Sequence, residues 1–364
     1  MKIDRVRIRP FAIPLAKPLQ TARGAIGERR GFVVELTTDA WTGLGEVSPH
    51  PTAEESVFAE SADELAALGP ALVGAETGEI ENELVACLPA PVAMGVELAL
   101  RDLEARVAGR TLAEALGGGK NAPAGVAVSA LIEDEAPAEG ADAGLASGAR
   151  RLLAAGFRVA KLKASRDPGE TMRRVEVLRR AAPGLRLRVD VNGAWSRAEA
   201  VAAARGLRDL DLDWLEQPVS PLDVEGMAEV RSLGVRVAAD EAIRTAEDVG
   251  RLHAARAIDV VVVKFVQVGG LRGAIETAQA TEQCGLELSL TTGIDTSIAT
   301  SALLHLGVAL QPGPALGCAT LSLLGGDLVR KAPQEGPRMA PVPGAGIGVD
   351  LEEGSPFLGE EIVT

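Results

Sequence analysis

The stretch FRVAKLKASRDPGETMRRVEVLRRAAPGLRLRVDV, residues 157–191, reads as a repeating unit of strand, helix and strand. FRVAKLK (157–163) and LRLRVDV (185–191) are short apolar strands, and PGETMRRVEVLRRAA between them is helical in pattern. The same grammar extends in both directions. Strands are predicted at GVAVSALI (125–132), LDWLEQP (212–218), VRVAADE (235–241), IDVVVVKF (258–265) and LELSLTTG (286–293), with an eighth at ALGCATL (315–321). Alanine-rich helical segments such as RAEAVAAARGLRDL separate them. Eight strands with intervening helices over about 200 residues predict a parallel barrel of the (β/α)8 type. A doubly wound open sheet is the weaker alternative, because no glycine fingerprint follows the first strand.

The preceding part, about residues 1–120, follows another rule: strands first, helices after. IDRVRIRPF, RGFVVELTT and GLGEVS have strand character, whereas AEESVFAESADELAALG and APVAMGVELALRDLEARVAG look helical. In the second helix Val92, Val96, Leu100, Leu103 and Val107 recur at three- and four-residue spacing, which predicts one apolar face. This part reads as an α+β unit. The final 25 or so residues fit no further barrel repeat and are expected to pack back on it.

Composition narrows the function classes. The chain of 364 residues is 47% apolar and 24% charged, a folded rather than disordered balance. A net charge of -14 argues against nucleic-acid or anionic-membrane partners. No apolar run approaches the roughly 18 residues of a membrane span, and charges and prolines break up the N-terminus, so a cytoplasmic location is expected. Cys87, Cys284 and Cys318 form neither a disulfide framework nor a zinc pattern. Lysine is scarce beside arginine, yet Lys161, Lys163 and Lys264 sit inside apolar runs. Burial or a neighbouring cation can bring a lysine into a useful acid–base range, which it cannot do for arginine.

Each predicted barrel strand ends on a residue that a buried strand would not choose for stability. From Lys163 through Asp190, Glu216, Asp240 and Lys264 to Asp295 the steps are 27, 26, 24, 24 and 31 residues. That interval is one strand, loop and helix, so these residues stand side by side on one rim, where barrel active sites are built. Three carboxylates from adjacent strands repel one another unless a hard divalent cation joins them, and Mg2+ (or Mn2+) suits oxygen ligands. A lysine on either side of that metal suits proton abstraction next to a substrate carboxylate. A single strand-end acid is ordinarily a helix cap or loop residue; recurrence at one structural period is what argues for a site. Arg188 is left with two roles, a substrate-carboxylate ligand or an inward ion-pair member.

These motifs resemble the enolase superfamily, in its muconate-lactonizing subgroup. The matching residues are KLK (161–163), DVN (190–192), EQP (216–218), DE (240–241) and Lys264, with GLGEVSPHP (43–51) in the expected capping domain. The superfamily pairing of a Lys or His base with Mg2+ is a known pattern. The resemblance implies a modified (β/α)7β barrel, residues 121–339, under an α+β capping domain, residues 1–120 completed by about 340–364. It implies Asp190, Glu216 and Asp240 as metal ligands, Lys163 as base, Lys264 as the opposite cation, and Lys161 with Glu241 as tuning residues. Asn192, Arg188, Asp295, Thr296, Ser297 and Gly317 are expected near the substrate.

Within the subgroup the chain looks most like the o-succinylbenzoate synthases. LQTARGAIGERRGFVVEL resembles their substrate-covering loop, and TTGIDTSIATSALLHLGVAL with ALGCATLSLLGGDLV resembles their last strand ends. The resemblance implies a small-molecule carboxylate substrate and a syn elimination of water through an enediolate, on the way to menaquinone. Asp295 stands where Glu is more usual, and His50 where an apolar residue is common. Dipeptide epimerases of the family carry Asp-x-Asp at the eighth strand, where this chain has Cys318-Ala319-Thr320. N-acylamino acid racemisation and muconate-type cycloisomerisation stay open on the same residues, as does homo-oligomerisation. A Schiff-base aldolase using Lys264 and a non-catalytic binding protein are the alternatives of another class.

Overall fold

The computed structural model describes residues 1–362 apart from 22–23, 81–84, 120–121 and 133–139. The first unit is a three-stranded antiparallel meander, β1 (Arg5–Thr21), β2 (Gly24–Thr37) and β3 (Thr42–Val47), backed by α1 (Glu55–Leu72) and α2 (Ala90–Val107). Val92, Val96, Leu100 and Leu103 of α2 are buried against Ile8, Val34 and Leu36 of the sheet. Val107, predicted on the same apolar face, is instead exposed, because the helix ends there and runs past the sheet. Helix and sheet meet backbone to backbone. A Cβ on Gly45 of β3 would lie 1.8 Å from the Gly95 carbonyl oxygen, so only glycine permits this approach.

The second unit is a curled sheet of seven parallel strands: β4 (Ala130–Ile132), β5 (Val159–Lys163), β6 (Arg186–Asp190), β7 (Leu212–Glu216), β8 (Val237–Ala239), β9 (Val260–Lys264) and β10 (Glu287–Thr291), ordered as in the sequence. Between them run α3 (Ala141–Ala154), α4 (Pro168–Ala181), α5 (Arg197–Leu207), α6 (Val224–Ser232), α7 (Ala246–Ala254) and α8 (Leu271–Gln283); α9 (Ser297–Leu310) follows β10. The helix starts have sequence reasons. Asp167 caps α4 ahead of Pro168, Ser196 and Glu199 close a capping box on α5, and Thr296 caps α9. Trp214, Ala238, Val260 and Val262 make a small apolar cluster of their own, apart from the main core that packs the helices on the sheet.

Two predicted strands come out differently. GVAVSALI divides: Val126–Ala127 turns aside to pair antiparallel with Arg338–Met339, and only residues 130–132 join the parallel sheet. The eighth strand is reduced to parallel bridges, Leu316 with Val128 and Gly317 with Thr291, and residues 321–323 turn into a 3-10 helix. Those bridges join the first and last strands of the curled sheet. Leu316 donates to the Ala127 carbonyl at 2.9 Å and Gly317 to that of Leu290 at 2.9 Å.

The end of the chain returns to the beginning. Residues 357–362 run along β1, with Ile362 donating to the Ile8 carbonyl at 2.9 Å and Gly359 to that of Pro10 at 2.8 Å. Arg7 and Arg9 of β1 pair with Glu353 at 3.1 and 2.8 Å, and Arg7 also with Glu361. Among the described residues no helix is long and apolar enough to cross a membrane.

Candidate active site

Strand register carries the rim. Lys163 of β5 stands level with Asp190 of β6, and Asp190 with Glu216 of β7, so neighbouring strands deliver their last residues to one height. Asp240 follows directly after β8, and Lys264 ends β9 opposite Thr291 of β10. Asp190, Glu216 and Asp240 are almost wholly buried, and one carboxylate oxygen from each lies within 4.8 Å of the others. Among the described residues no other group of three acids, histidines or cysteines converges this way.

Three lysines partly balance the acids. The Lys161 ammonium lies 2.7 Å from Asp190 Oδ2 and 2.7 Å from Glu216 Oε1. Lys163 donates to Asp190 Oδ2 at 2.7 Å and to Asn192 Oδ1 at 2.9 Å, and Lys264 pairs with Asp240 Oδ2. They differ in access: the Lys163 side chain is 47% exposed, against 16% for Lys161 and 14% for Lys264. Burial opposes the charge on Lys161, but Asp190, Glu216 and Asp240 overcome it and raise its pKa. Burial works against Asp190 too, yet Lys161 and Lys163 hold its carboxyl well below the usual range. Glu216 and Asp240 are pushed up by burial, with repulsion from Asp190 contributing to both.

That imbalance defines what would fit. Asp190 Oδ1 accepts the Asn192 N–H at 3.0 Å and Glu216 Oε2 accepts the Trp214 indole N–H at 3.3 Å, but Asp240 Oδ1 is buried with no partner. An orphaned buried carboxylate oxygen costs the desolvation of that group. A hard divalent cation satisfies it and removes the repulsion that raises Glu216 and Asp240, and an all-oxygen donor set suits Mg2+ or Mn2+.

Other expected residues divide into those at the rim and those elsewhere. Asn192, in the left-handed region at φ 50°, links the base side of the site to Glu241, donating to Glu241 Oε1 at 3.0 Å while receiving Lys163. Gly317 borders Thr291, whose hydroxyl donates to its carbonyl at 2.7 Å. Arg188 takes the position of an inward ion-pair member. Its guanidinium is buried below the rim, donating to Asp213 at 3.0 Å and the Ala315 carbonyl at 2.8 Å and lying 3.7 Å from the Trp214 ring centroid. Asp295, Thr296 and Ser297 also have partners within the protein. Asp295 accepts from Arg29 at 3.0 Å, the Thr296 hydroxyl donates to Glu46 at 2.7 Å, and Ser297 donates to Asp327. His50 uses Nδ1 to accept from Thr52 and stands outside the cluster. Of the expected covering loop, residues 22–23 lie outside the described residues.

Comparison with known proteins places this geometry. Residues 144–355 match the family described as enolase C-terminal domain-like, and residues 3–117 the mandelate racemase / muconate lactonizing enzyme N-terminal domain. The chain belongs to the enolase superfamily. Among superfamily relatives, L-Ala-D/L-Glu epimerase of Bacillus subtilis is 30% identical over 319 residues, 84% of each chain. The o-succinylbenzoate synthase of Thermobifida fusca is 40% identical over 212 residues, 57% of this chain and 64% of that one. A dipeptide epimerase of Enterococcus faecalis, solved with Mg and L-Leu-L-Tyr, superposes with a TM-score of 0.86 at 26% identity, covering 96% of this chain and 99% of that one.

Several supports of this superfamily site escaped the sequence reading. Gln217, at φ 39°, accepts from the N–H groups of Asp240 at 3.3 Å and Ala242 at 3.1 Å, fixing the turn that presents Asp240. The Gln within EQP was its only visible sign. Trp214 reaches Glu216 from two residues back, and its place on the same strand face follows from alternation. Arg29 and Glu46 carried no local signal, since their partners lie 266 and 250 residues away.

Proposed function

We propose that the chain is a Mg2+-dependent o-succinylbenzoate synthase, dehydrating 2-succinyl-6-hydroxy-2,4-cyclohexadiene-1-carboxylate to 2-succinylbenzoate. The observation that carries the reading is a rim of three carboxylates and three lysines beside an uncharged eighth segment. Cys318 is fully buried there and burial pushes its thiol up to about 12, while Thr320 is occupied with Thr292 at 3.0 Å. Nearby Glu335 is turned to the backbone N–H groups of Leu321 and Ser322 at 2.7 and 3.1 Å. This leaves no carboxylate at Cys318-Ala319-Thr320 to receive a dipeptide's ammonium, whereas a succinyl chain needs none.

Lys163, the most exposed of the three lysines, takes the proton alpha to the substrate carboxylate. The electron pair of that C–H bond passes first to the substrate carboxylate as an enediolate, then returns to form the ring double bond as the C–O bond breaks, and the same ammonium gives its proton to the departing hydroxide, releasing water. One base on one face gives syn elimination, and aromatisation drives it. An ion held by Asp190, Glu216 and Asp240 would supply positive charge against the substrate carboxylate as that proton leaves. Lys264 adds a fixed cation on the far side, Asn192 and Glu241 hold the Lys163 side chain, and Lys161 secures Asp190 and Glu216. The division into a capping domain of 1–120 with 340–364 and a barrel of 121–339, and a cytoplasmic location, belong to the same reading.

Loss of diene absorbance tests it, with Mg2+, with chelator, and with Lys163→Ala. Turnover that needs both metal and Lys163 is expected. No turnover by folded, Mg2+-loaded protein would sink the assignment. N-acylamino acid racemisation is the second reading, favoured by lysines on both sides of the acids and by the likeness to epimerases. Exchange of the alpha hydrogen of both N-succinylamino acid enantiomers with deuterated solvent would establish it.

A further inference from the structure

A second buried ionic cluster joins the two units at the barrel mouth. Arg29 of β2 donates to Asp295 Oδ1 and to the Ser48 carbonyl, each at 3.0 Å, and also to the Pro49 carbonyl. Glu46 of β3 accepts from the N–H groups of Thr296 and Ala299, each at 3.1 Å, from the Thr296 hydroxyl at 2.7 Å, and from the Ser48 hydroxyl. Thr296 caps α9 and Ala299 lies in its first turn, so the partial positive end of this helix meets the Glu46 carboxylate. Asp295 thus takes the guanidinium and the neighbouring Glu46 the helix N-terminus, all of them buried.

The grip falls on a strained turn. Asp295 uses its second oxygen to accept the Gly293 N–H at 3.0 Å, and between them Ile294 sits at φ 68°. A β-branched residue in that region is an outlier that persists only where its surroundings over-determine it. The turn leaves β10 directly after Thr291, the register partner of Lys264, and Gly293 and Ile294 are the part-exposed residues in it.

We propose that Arg29, Asp295 and Glu46 form a latch that docks the capping sheet on the barrel and holds the 292–295 turn in its strained shape beside Lys264. They are positioning residues for substrate binding. The kinetic readout rests on the proposed function; the latch itself is read without substrate.

Asp295→Asn is compared with wild type and with the paired variant Arg29→Met/Asp295→Leu, all as full chains. A single change leaves a buried charge uncompensated and lowers stability, and removing both partners restores it. Asp295→Asn is expected to raise KM about tenfold and change kcat less than about threefold, a loss of binding rather than of chemistry. Titration with Mg2+ alone is expected to match wild type, and amide hydrogen exchange across 292–299 to speed up. The paired variant is expected to regain folding stability while keeping the raised KM. Return of KM to the wild-type value in that variant, or unchanged exchange across 292–299, overturns the latch. If the wild type fails to turn over the diene, the functional reading falls, and the exchange data alone decide the latch.

Discussion

Two sets of buried carboxylates lie near the mouth of this barrel, and they are finished differently. Glu46 and Asp295 are met on all sides by fixed donors: a guanidinium, a helix N-terminus, hydroxyls and a turn amide. Asp190, Glu216 and Asp240 are met mainly by lysines, and one oxygen of Asp240 is met by nothing. The first set is a joint whose carboxylate oxygens are all met, though the Arg29 Nε–H is not. The second is an unfinished shell with room for a divalent cation's charge, and its counter-charges sit on lysine stems. Burial alone therefore does not mark a site; an unsatisfied oxygen beside lysine cations does.

The sharpest way to break this contrast is to remove the unfinished oxygen. Asp240→Asn should lower turnover about a thousandfold or more, with a loss of Mg2+ binding readable by titration, since a ligand and its charge disappear together. Retained Mg2+ affinity in this variant would erase the distinction between the two sets. A buried ion pair below the rim provides the next test. Asp213→Leu removes the carboxylate that faces Arg188, and also Arg186, and should cost about 3–5 kcal/mol in denaturant unfolding, while Mg2+ affinity stays near wild type.

A buried histidine should behave differently again. Burial holds His305 of α9 down to about 4, outweighing the opposing pull of the Glu114 charge, so the unfolded chain binds its proton first. Its stabilisation is intact above pH ~6.5 and is lost as pH falls from there towards about 4, reaching about 3 kcal/mol. His305→Phe should flatten that part of a stability–pH curve. The smallest effect is expected at the joint: Glu46→Gln keeps the size but removes the charge from the start of α9 and turns an amide NH2 toward its donors, costing about 2 kcal/mol of stability.

The legible parts of the molecule are those repeated along the chain. One polar residue per strand–helix unit revealed the rim, because register converts sequence period into spatial adjacency. Arg188, Asp295, Thr296 and Ser297 were less legible for a complementary reason. Their residue types fit a substrate pocket, but the partners that occupy them are Asp213, Arg29, Glu46 and Asp327, some on other units of the fold. The eighth strand was legible in position and not in form, since only Leu316 and Gly317 pair before the chain turns away. Val107 shows the limit of periodicity: the spacing continues one step beyond the surface it packs on.

The strand that begins the capping sheet also pairs with residues 357–362, some 350 positions later. During synthesis the edge of β1 must therefore wait, unpaired, until almost the whole barrel has left the ribosome, and among the described residues only Glu35 of β2 balances Arg7 and Arg9 meanwhile. Such distant contacts slow folding and leave an open strand edge exposed to intermolecular pairing in the meantime. A chain released before residue 353 would carry the complete rim of acids and lysines under a cap lacking its final strand-like border.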